Sequence, residues 1–179
     1  MLVSNEIVAE SPKLEFGKPS FAFEAEPLSD AQSDLQESRG CASENKLSID
    51  CRVFKYRILN LSARAVRNFT YSCSESGVFP EYRNAEGQWT PLPQVSWVCT
   101  MNIVIETPIL SGKAYENEFT LANLAPGYDL TPLRAPGEHQ LRFRFSPYAC
   151  FASPDGRFCL TGAERQQPVV SSEVIVRTP

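Results

Sequence analysis

The sequence predicts an all-β chain, an antiparallel β-sandwich of about eight to ten strands with little helix. Three observations carry that expectation. Apolar and polar residues alternate with period two along most of the chain, the mark of strands with one face buried. Fourteen prolines and nine glycines fall mostly between the alternating runs, so the runs are short and closed by turns. The runs themselves are rich in aromatic and β-branched residues. A closed barrel is the second architecture compatible with this pattern and a jelly roll the third.

The elements follow in order. Residues 1–12 are expected to be a loosely held terminus, with a single domain over 13–179. Phe21, Phe23 and Ala25 share one face of a strand and Glu24 and Glu26 the other. Ser29-Asp30-Ala31-Gln32 resembles a capping box with Leu35 following and Gly40 able to close it, so one helical turn or a polar loop is expected there. Phe54, Tyr56 and Ile58 alternate with Lys55 and Arg57, and Phe69, Tyr71 and Cys73 alternate with Thr70 and Ser72. The turn at Ala85–Gly87 predicts a hairpin whose return carries Trp89. Met101 to Glu106 is continuously apolar enough to be a central strand. Leu121–Gly137 holds four leucines and Tyr128 but is broken by three prolines. It is either a binding loop or a crossover tucked into the core edge. Leu141, Phe143 and Phe145 alternate with Gln140, Arg142 and Arg144 in the clearest half-buried strand, and Val174–Val176 closes the chain.

Six cysteines stand at 41, 51, 73, 99, 150 and 159, with no Cys-x-x-Cys among them, so zinc ribbons and thioredoxin-type motifs lack their basic unit. An even count without metal-type spacing predicts disulfides and an oxidising compartment; six buried reduced thiols are the alternative. Ser153-Pro154-Asp155-Gly156 has the composition of a type I turn. If Ser153 faces Gly156, Cys150 faces Cys159 at a separation suited to a bridge. A glycine bulge would shift that register and set Leu160 opposite Cys150. The remaining four cysteines allow three pairings, of which Cys41–Cys51 with Cys73–Cys99 is preferred.

Charge narrows the function. A net charge of −4 disfavours a nucleic-acid binder. No apolar run has the length of a transmembrane segment. The first seven residues, Met1-Leu2-Val3-Ser4-Asn5-Glu6-Ile7, do not form a signal peptide. A trimmed mature form is the expectation; a misplaced start or a cytosolic chain with free thiols are the alternatives. Asn60-Leu61-Ser62 and Asn68-Phe69-Thr70 match the N-glycosylation acceptor pattern.

Catalytic constellations are weak. His139 is the one imidazole, with no nucleophile elbow beside it, and reads as a solvent-facing residue at a strand start. Glu24/Glu26 and Glu116/Glu118 each place two carboxylates on one strand face at about 7 Å, near glycosidase separations. Solvated strand faces carry such pairs routinely. Asp155 lacks the alternating oxygen ligands of a calcium loop. No metal, cofactor or catalytic residue is assigned. Trp89 and Trp97, with Tyr82 and Tyr71, are candidates for a flat aromatic platform for a protein or glycan. Trp97 shares an alternation with Val95 and Cys99 and is the better core residue. Tyr128 and Arg134, on the proline-broken stretch, complete the binding candidates Trp89, Tyr82, Tyr128 and Arg134. Arg142 and Arg144 with Gln140 form a small basic stripe of the kind solvated faces carry.

A family resemblance emerges from the order of these signals. Phe54-Lys55-Tyr56-Arg57-Ile58-Leu59-Asn60-Leu61-Ser62 ends an early strand, and Gly87-Gln88-Trp89 follows in a hairpin. Ala135-Pro136-Gly137-Glu138-His139-Gln140-Leu141-Arg142-Phe143 and a closing Ser171-Ser172-Glu173-Val174-Ile175-Val176 come later. Over about residues 47–178 the chain resembles the immunoglobulin-like sandwich domains of bacterial secreted proteins and lipoproteins. It is more distantly similar to the Bacillus-type intracellular proteinase inhibitors, from which the six cysteines and the 150–159 hairpin depart. Motifs of chagasin-type inhibitors are not found. The resemblance implies an immunoglobulin-like fold. The expected function is a non-enzymatic secreted, periplasmic or cell-envelope binding or structural module with a protein or glycan ligand. A protease inhibitor presenting a rigid loop is the alternative, and a small hydrolase using carboxylates comes third.

Overall fold

A computed structural model of the chain describes residues 17–28, 49–71, 77–95, 104–124, 127–160 and 162–179. Among them twelve strands form: β1 (Phe21–Pro27), β2 (Val53–Asn60), β3 (Val66–Tyr71), β4 (Val78–Arg83), β5 (Trp89–Pro91) and β6 (Val104–Ile109). β7 (Ala114–Thr120), β8 (Gly137–Phe145), β9 (Tyr148–Phe151), β10 (Glu164–Arg165), β11 (Val169–Val170) and β12 (Val174–Thr178) complete the set. The count exceeds eight to ten because β5, β10 and β11 are only two or three residues long. Helix is confined, among the described residues, to single 3-10 turns at Ile49–Cys51, Leu121–Asn123 and Thr131–Leu133.

All pairings are antiparallel. One sheet has the order β1-β2-β7, a second β10-β9-β3-β6, and a third β11-β8-β4-β5 with β12 also on β8. β8 and β9 are one run of chain interrupted at Ser146-Pro147, where proline has no N–H to donate to a ladder. The second and third sheets therefore diverge at that point.

Period-two burial makes the layers cohere. In β1, Phe21, Phe23 and Ala25 are buried as their alternation predicts, and in β8 Leu141, Phe143 and Phe145 are buried while Arg142 and Arg144 lie on the other side. Phe54 of β2 and Phe119 of β7 both meet Phe143 with ring centroids 5.2 Å away, and Phe23 stacks on Phe145 at 5.4 Å. These contacts clamp the three-stranded sheet onto β8. One apolar cluster runs from Phe21 to Val176 and includes Val66, Ile109 and Ala149 of the second sheet.

Two strands depart from the sequence reading. The described part of the Met101–Glu106 segment, Val104–Glu106, is not in a central strand: it opens β6, the edge of its sheet among the described residues, with Val104 and Ile105 about half exposed. In β3 the alternation holds but the buried face is the opposite one: Val66 and Asn68 point to the core. Phe69 instead lies beside Tyr148, 6.4 Å between centroids, under the Arg67 guanidinium. The aromatic was misleading because this outer face offers it neighbours of its own, Tyr148 beside it and the Arg67 guanidinium over it, and Arg67 Nη1 in turn donates to the Arg157 carbonyl of the 150–159 hairpin at 2.8 Å.

The Cys150–Cys159 disulfide is present, with Cα atoms 5.6 Å apart. Its hairpin register differs from the expected one. Gly156 N–H donates to the Ser153 carbonyl at 2.8 Å, as a type I turn requires, but Ser153 N–H pairs with the Phe158 carbonyl and Ala152 bridges Cys159. Asp155 causes the lengthening. Its Oδ1 accepts from Ser153 Oγ and from Arg157 N–H, so the turn continues through Gly156 (φ +73°) and Arg157 before the strands rejoin. The two cysteines consequently bond across a diagonal, not a directly opposed pair. Cys51 is also disulfide-bonded. Cys41, Cys73 and Cys99 lie outside the described residues, as do the terminal segment 1–12 and the Ser29–Gly40 capping box.

Both candidate glycosylation asparagines are buried. Asn60 Nδ2 donates to the carbonyls of Arg64 and Ile109, and its Oδ1 accepts from Ser62 N–H, so it serves the turn after β2. Neither amide can carry a glycan in the folded chain.

Tyr56 sits at the edge of this aromatic core, 5.6 Å from Phe119, and burial pushes its phenol up to about 12. A folded-state pKa above the unfolded value near 10 means that stability is intact below pH 10 and falls as pH rises toward 12. Alkaline titration at 295 nm is expected to show late-ionising tyrosine absorbance, part of which Tyr56→Phe removes. A Tyr56→Phe curve identical in shape to wild type contradicts this placement.

Candidate binding surface

The outer face of the third sheet gathers more chemistry than any other described surface. Because Phe143 and Phe145 point inward, Arg142 and Arg144 must point out, and the register decides what they meet. Glu81 pairs with Arg142, Phe79 with Arg144, and Arg83 with Trp89 across β4, β5 and β8. Phe79, Glu81 and Arg83 thus line up beside the arginines of β8, with Trp89 on the far side of Arg83.

Glu81 is the centre. Its side chain is only 9% exposed, with Arg142 Nε at 2.7 Å and Arg144 Nε at 3.5 Å. A carboxylate so enclosed is tolerable only when paired, and the two guanidiniums supply the pairing. Arg142 also lies over the Trp89 ring at 4.5 Å, and Arg144 over the Phe79 ring at 5.5 Å. Each guanidinium is therefore held by an acid on its edge and an aromatic on its face. Arg83 donates from Nε to the Gly87 carbonyl at 3.1 Å and from Nη1 to Gln140 Oε1 at 2.9 Å. The turn at Ala85–Gly87, with Gly87 at φ +76°, sets Trp89 in this register. Val170 and Ile175, 45% and 56% exposed, extend the face beyond β8. The result is a surface on which two guanidiniums flank one carboxylate and a third, that of Arg83, lies beside them.

The four binding candidates do not converge. Trp89 belongs to this surface. Tyr82 does not: it pairs with Thr90, one residue past Trp89, and packs half-buried against the core on the opposite face of β4. Tyr128 bridges Gln94 and is buried; burial raises its phenol, and Gln94 tempers the shift. Arg134 is exposed at the end of the Thr131–Leu133 turn. It adds to the lowering of the Asp129 carboxyl that the Thr131 hydrogen bonds dominate. Trp97 and the Tyr71 side chain lie outside the described residues. In Leu121–Gly137, Leu121, Leu124, Leu130 and Leu133 are all buried, so that stretch is a crossover tucked into the core edge.

The residues that sequence reasoning missed are Phe79, Glu81 and Arg83. Their alternation was legible, but Pro80 within it obscured the strand. Nothing local showed that Glu81 would be enclosed by partners from β8.

The carboxylate pairs form a different surface, the outer face of the first sheet. Cross-strand register builds two rows, Glu24–Arg57–Glu116 and Glu26–Lys55–Glu118. Glu116 meets Lys55 Nζ at 2.6 Å and Arg57 at 3.6 Å, and Arg57 reaches Glu24 at 3.7 Å. The Lys55 ammonium holds the Glu116 carboxyl below its usual range. A general acid requires the opposite shift. A shallow recess of about 500 Å³ beside these rows is lined by Glu24, Lys55, Arg57 and Glu116. His139 Nε2 donates to the Ala135 carbonyl at 2.7 Å, and among the described residues no carboxylate is hydrogen-bonded to the ring. Among the described residues no group of His, Cys, Asp and Glu is arranged to hold a metal ion, and no helix is long and apolar enough to cross a membrane.

No family model and no curated protein matches the sequence. Among solved structures, the chain is similar to a protein described as ApaA from Bordetella pertussis. Identity is 12% and the TM-score 0.36, over 90% of this chain and 94% of that one. A structural-genomics target designated SoR45 gives 12% identity and a TM-score of 0.35, covering 90% of this chain and 87% of its own.

Proposed function

We propose that this chain is an exported, non-enzymatic binding module built on an immunoglobulin-like sandwich, and that it contacts its ligand through the outer face of β4, β5 and β8. The observation that carries the reading is the Trp89–Arg142–Glu81–Arg144 arrangement. Rigid aromatic and guanidinium groups held in place before binding lose little entropy on contact, and Trp and Arg dominate interface energetics. The disulfides support a route through an oxidising compartment. Against chemistry stand the low-lying Glu116 carboxyl and the unassisted His139.

Binding to a glycan array and to solubilised cell-envelope proteins tests this reading. Trp89→Ala is expected to weaken whatever binding is found by about 30-fold, the size of an interface hot spot near 2 kcal/mol. Binding unchanged in both Trp89→Ala and Arg142→Ala would move the ligand off this face.

One observation favours protease inhibition as a second reading. The 150–159 hairpin is closed by a disulfide and presents Phe158 at 56% exposure beside Arg157. The Arg157 carbonyl, however, is already engaged by Arg67. Titration against serine and cysteine proteases separates the readings: slow, tight inhibition lost in Arg157→Ala supports the inhibitor, and none at micromolar protein removes it.

A further inference from the structure

We propose that the partner of the basic face is the acidic face of a second copy of this chain, so that sandwiches stack head to tail. The proposal rests on the reading that the β4–β5–β8 face is a contact surface, and it names the occupant.

The two faces lie on opposite sides of the sandwich. Phe54 and Phe119 of the first sheet meet Phe143 of β8 across the core, so Lys55, Glu116 and Glu118 point away from Arg142 and Arg144. Each face is a pleated lattice with strands about 4.8 Å apart and same-face residues about 7 Å apart along a strand. The charge patterns on the two lattices are inverse. On the first sheet four carboxylates (Glu24, Glu26, Glu116, Glu118) surround two cations, Lys55 and Arg57. On the third, the guanidiniums of Arg142 and Arg144 flank Glu81, Arg83 lies beside them, and Arg177 pairs with Glu138, which leaves two guanidiniums in excess. Each face keeps an excess of one sign after its internal pairs are made, and the excesses are opposite. A chain of net charge −4 would otherwise repel its own copies, so the basic face is where a copy can approach.

Symmetry follows from this placement. A face that pairs with a different face of the next copy makes a heterologous contact, and faces on opposite sides of one molecule give an open stack, not a closed dimer. Val170 and Ile175, both exposed at the border of the basic face, add apolar area to the contact. The attraction is between exposed charges and is therefore sensitive to salt.

Sedimentation velocity of the oxidised full chain at pH 7 tests the proposal. It is run over a range of protein concentration in about 0.01 M and about 1 M salt, where screening lengths are near 30 and 3 Å. The expected result is a mass that grows with protein concentration in low salt and returns to monomer in high salt. Two charge-reversal variants are made, R142E/R144E on one face and E24K/E116K on the other, each checked for wild-type melting. Arg83→Glu and Glu26→Lys replace either pair if melting is lowered; each neutralises its face and is expected to weaken association, and the mixing experiment is run with the double reversals only. Each double reversal alone is expected to be monomeric, and an equimolar mixture is expected to associate again, because one now has two acidic faces and the other two basic ones. A wild-type chain that stays monomeric in low salt overturns the stacking. If that monomer still binds a glycan or protein through Trp89, the contact face stands and only the occupant is wrong. Association that survives both reversals overturns the stacking and removes this face as its site.

Discussion

Phe143→Ala is expected to cost about 3–5 kcal/mol of unfolding free energy, the range for truncating a fully buried aromatic. Phe143 has no exposed surface and is the ring that Phe54 and Phe119 both contact, so it joins β8 to two strands of the facing sheet. The cavity left by alanine cannot close readily, because its walls belong to different sheets with fixed registers. Urea unfolding followed by tyrosine and tryptophan fluorescence measures the loss. Ile175→Ala, at an exposed position of the same layer, is the control and should stay within about 0.5 kcal/mol of wild type. A Phe143→Ala cost below about 1 kcal/mol would mean that the two layers do not meet through this ring.

Removing the Cys150–Cys159 bridge is the second large effect. Chain-entropy reasoning for so short a loop gives about 2–3 kcal/mol. Cys150 is wholly buried and the hairpin it anchors covers Arg67, so C150A/C159A frees the hairpin from the second sheet as well. The expected result is a lowered urea midpoint together with faster amide exchange across residues 152–160. An unchanged midpoint and unchanged exchange would show that the Asp155-braced turn and the strand pairing hold the hairpin without sulfur.

How much of this was visible in the sequence depends on how local the cause is. β1 and β8 are legible because one face of each is buried and the other is not, which is the condition that produces clean alternation. β3 failed because Tyr148 of the neighbouring strand and the Arg67 guanidinium shelter Phe69 on the outer face, so it could be apolar without facing the core. β6 failed because an apolar run does not reveal whether a strand is central or at an edge; only the partners beside it do. The hairpin register turned on a single side chain, Asp155, whose two hydrogen bonds prolong a turn that composition assigned correctly. The surface was half legible. Trp89, Arg142 and Arg144 were noted separately, the first as an aromatic candidate and the others as a solvated stripe. They become one surface through pairings such as Glu81 with Arg142, which are 61 positions apart, and no local pattern encodes that.

The binding face requires Trp89 to be an accessible indole beside the guanidiniums of β8. Collisional quenching of its fluorescence in a Trp97→Phe background measures this directly, with iodide and caesium compared at equal ionic strength. Iodide is expected to quench more strongly than caesium, and R142E/R144E is expected to reverse that order. Stronger quenching by caesium in the unreversed protein, or no quenching by either ion, would contradict the account.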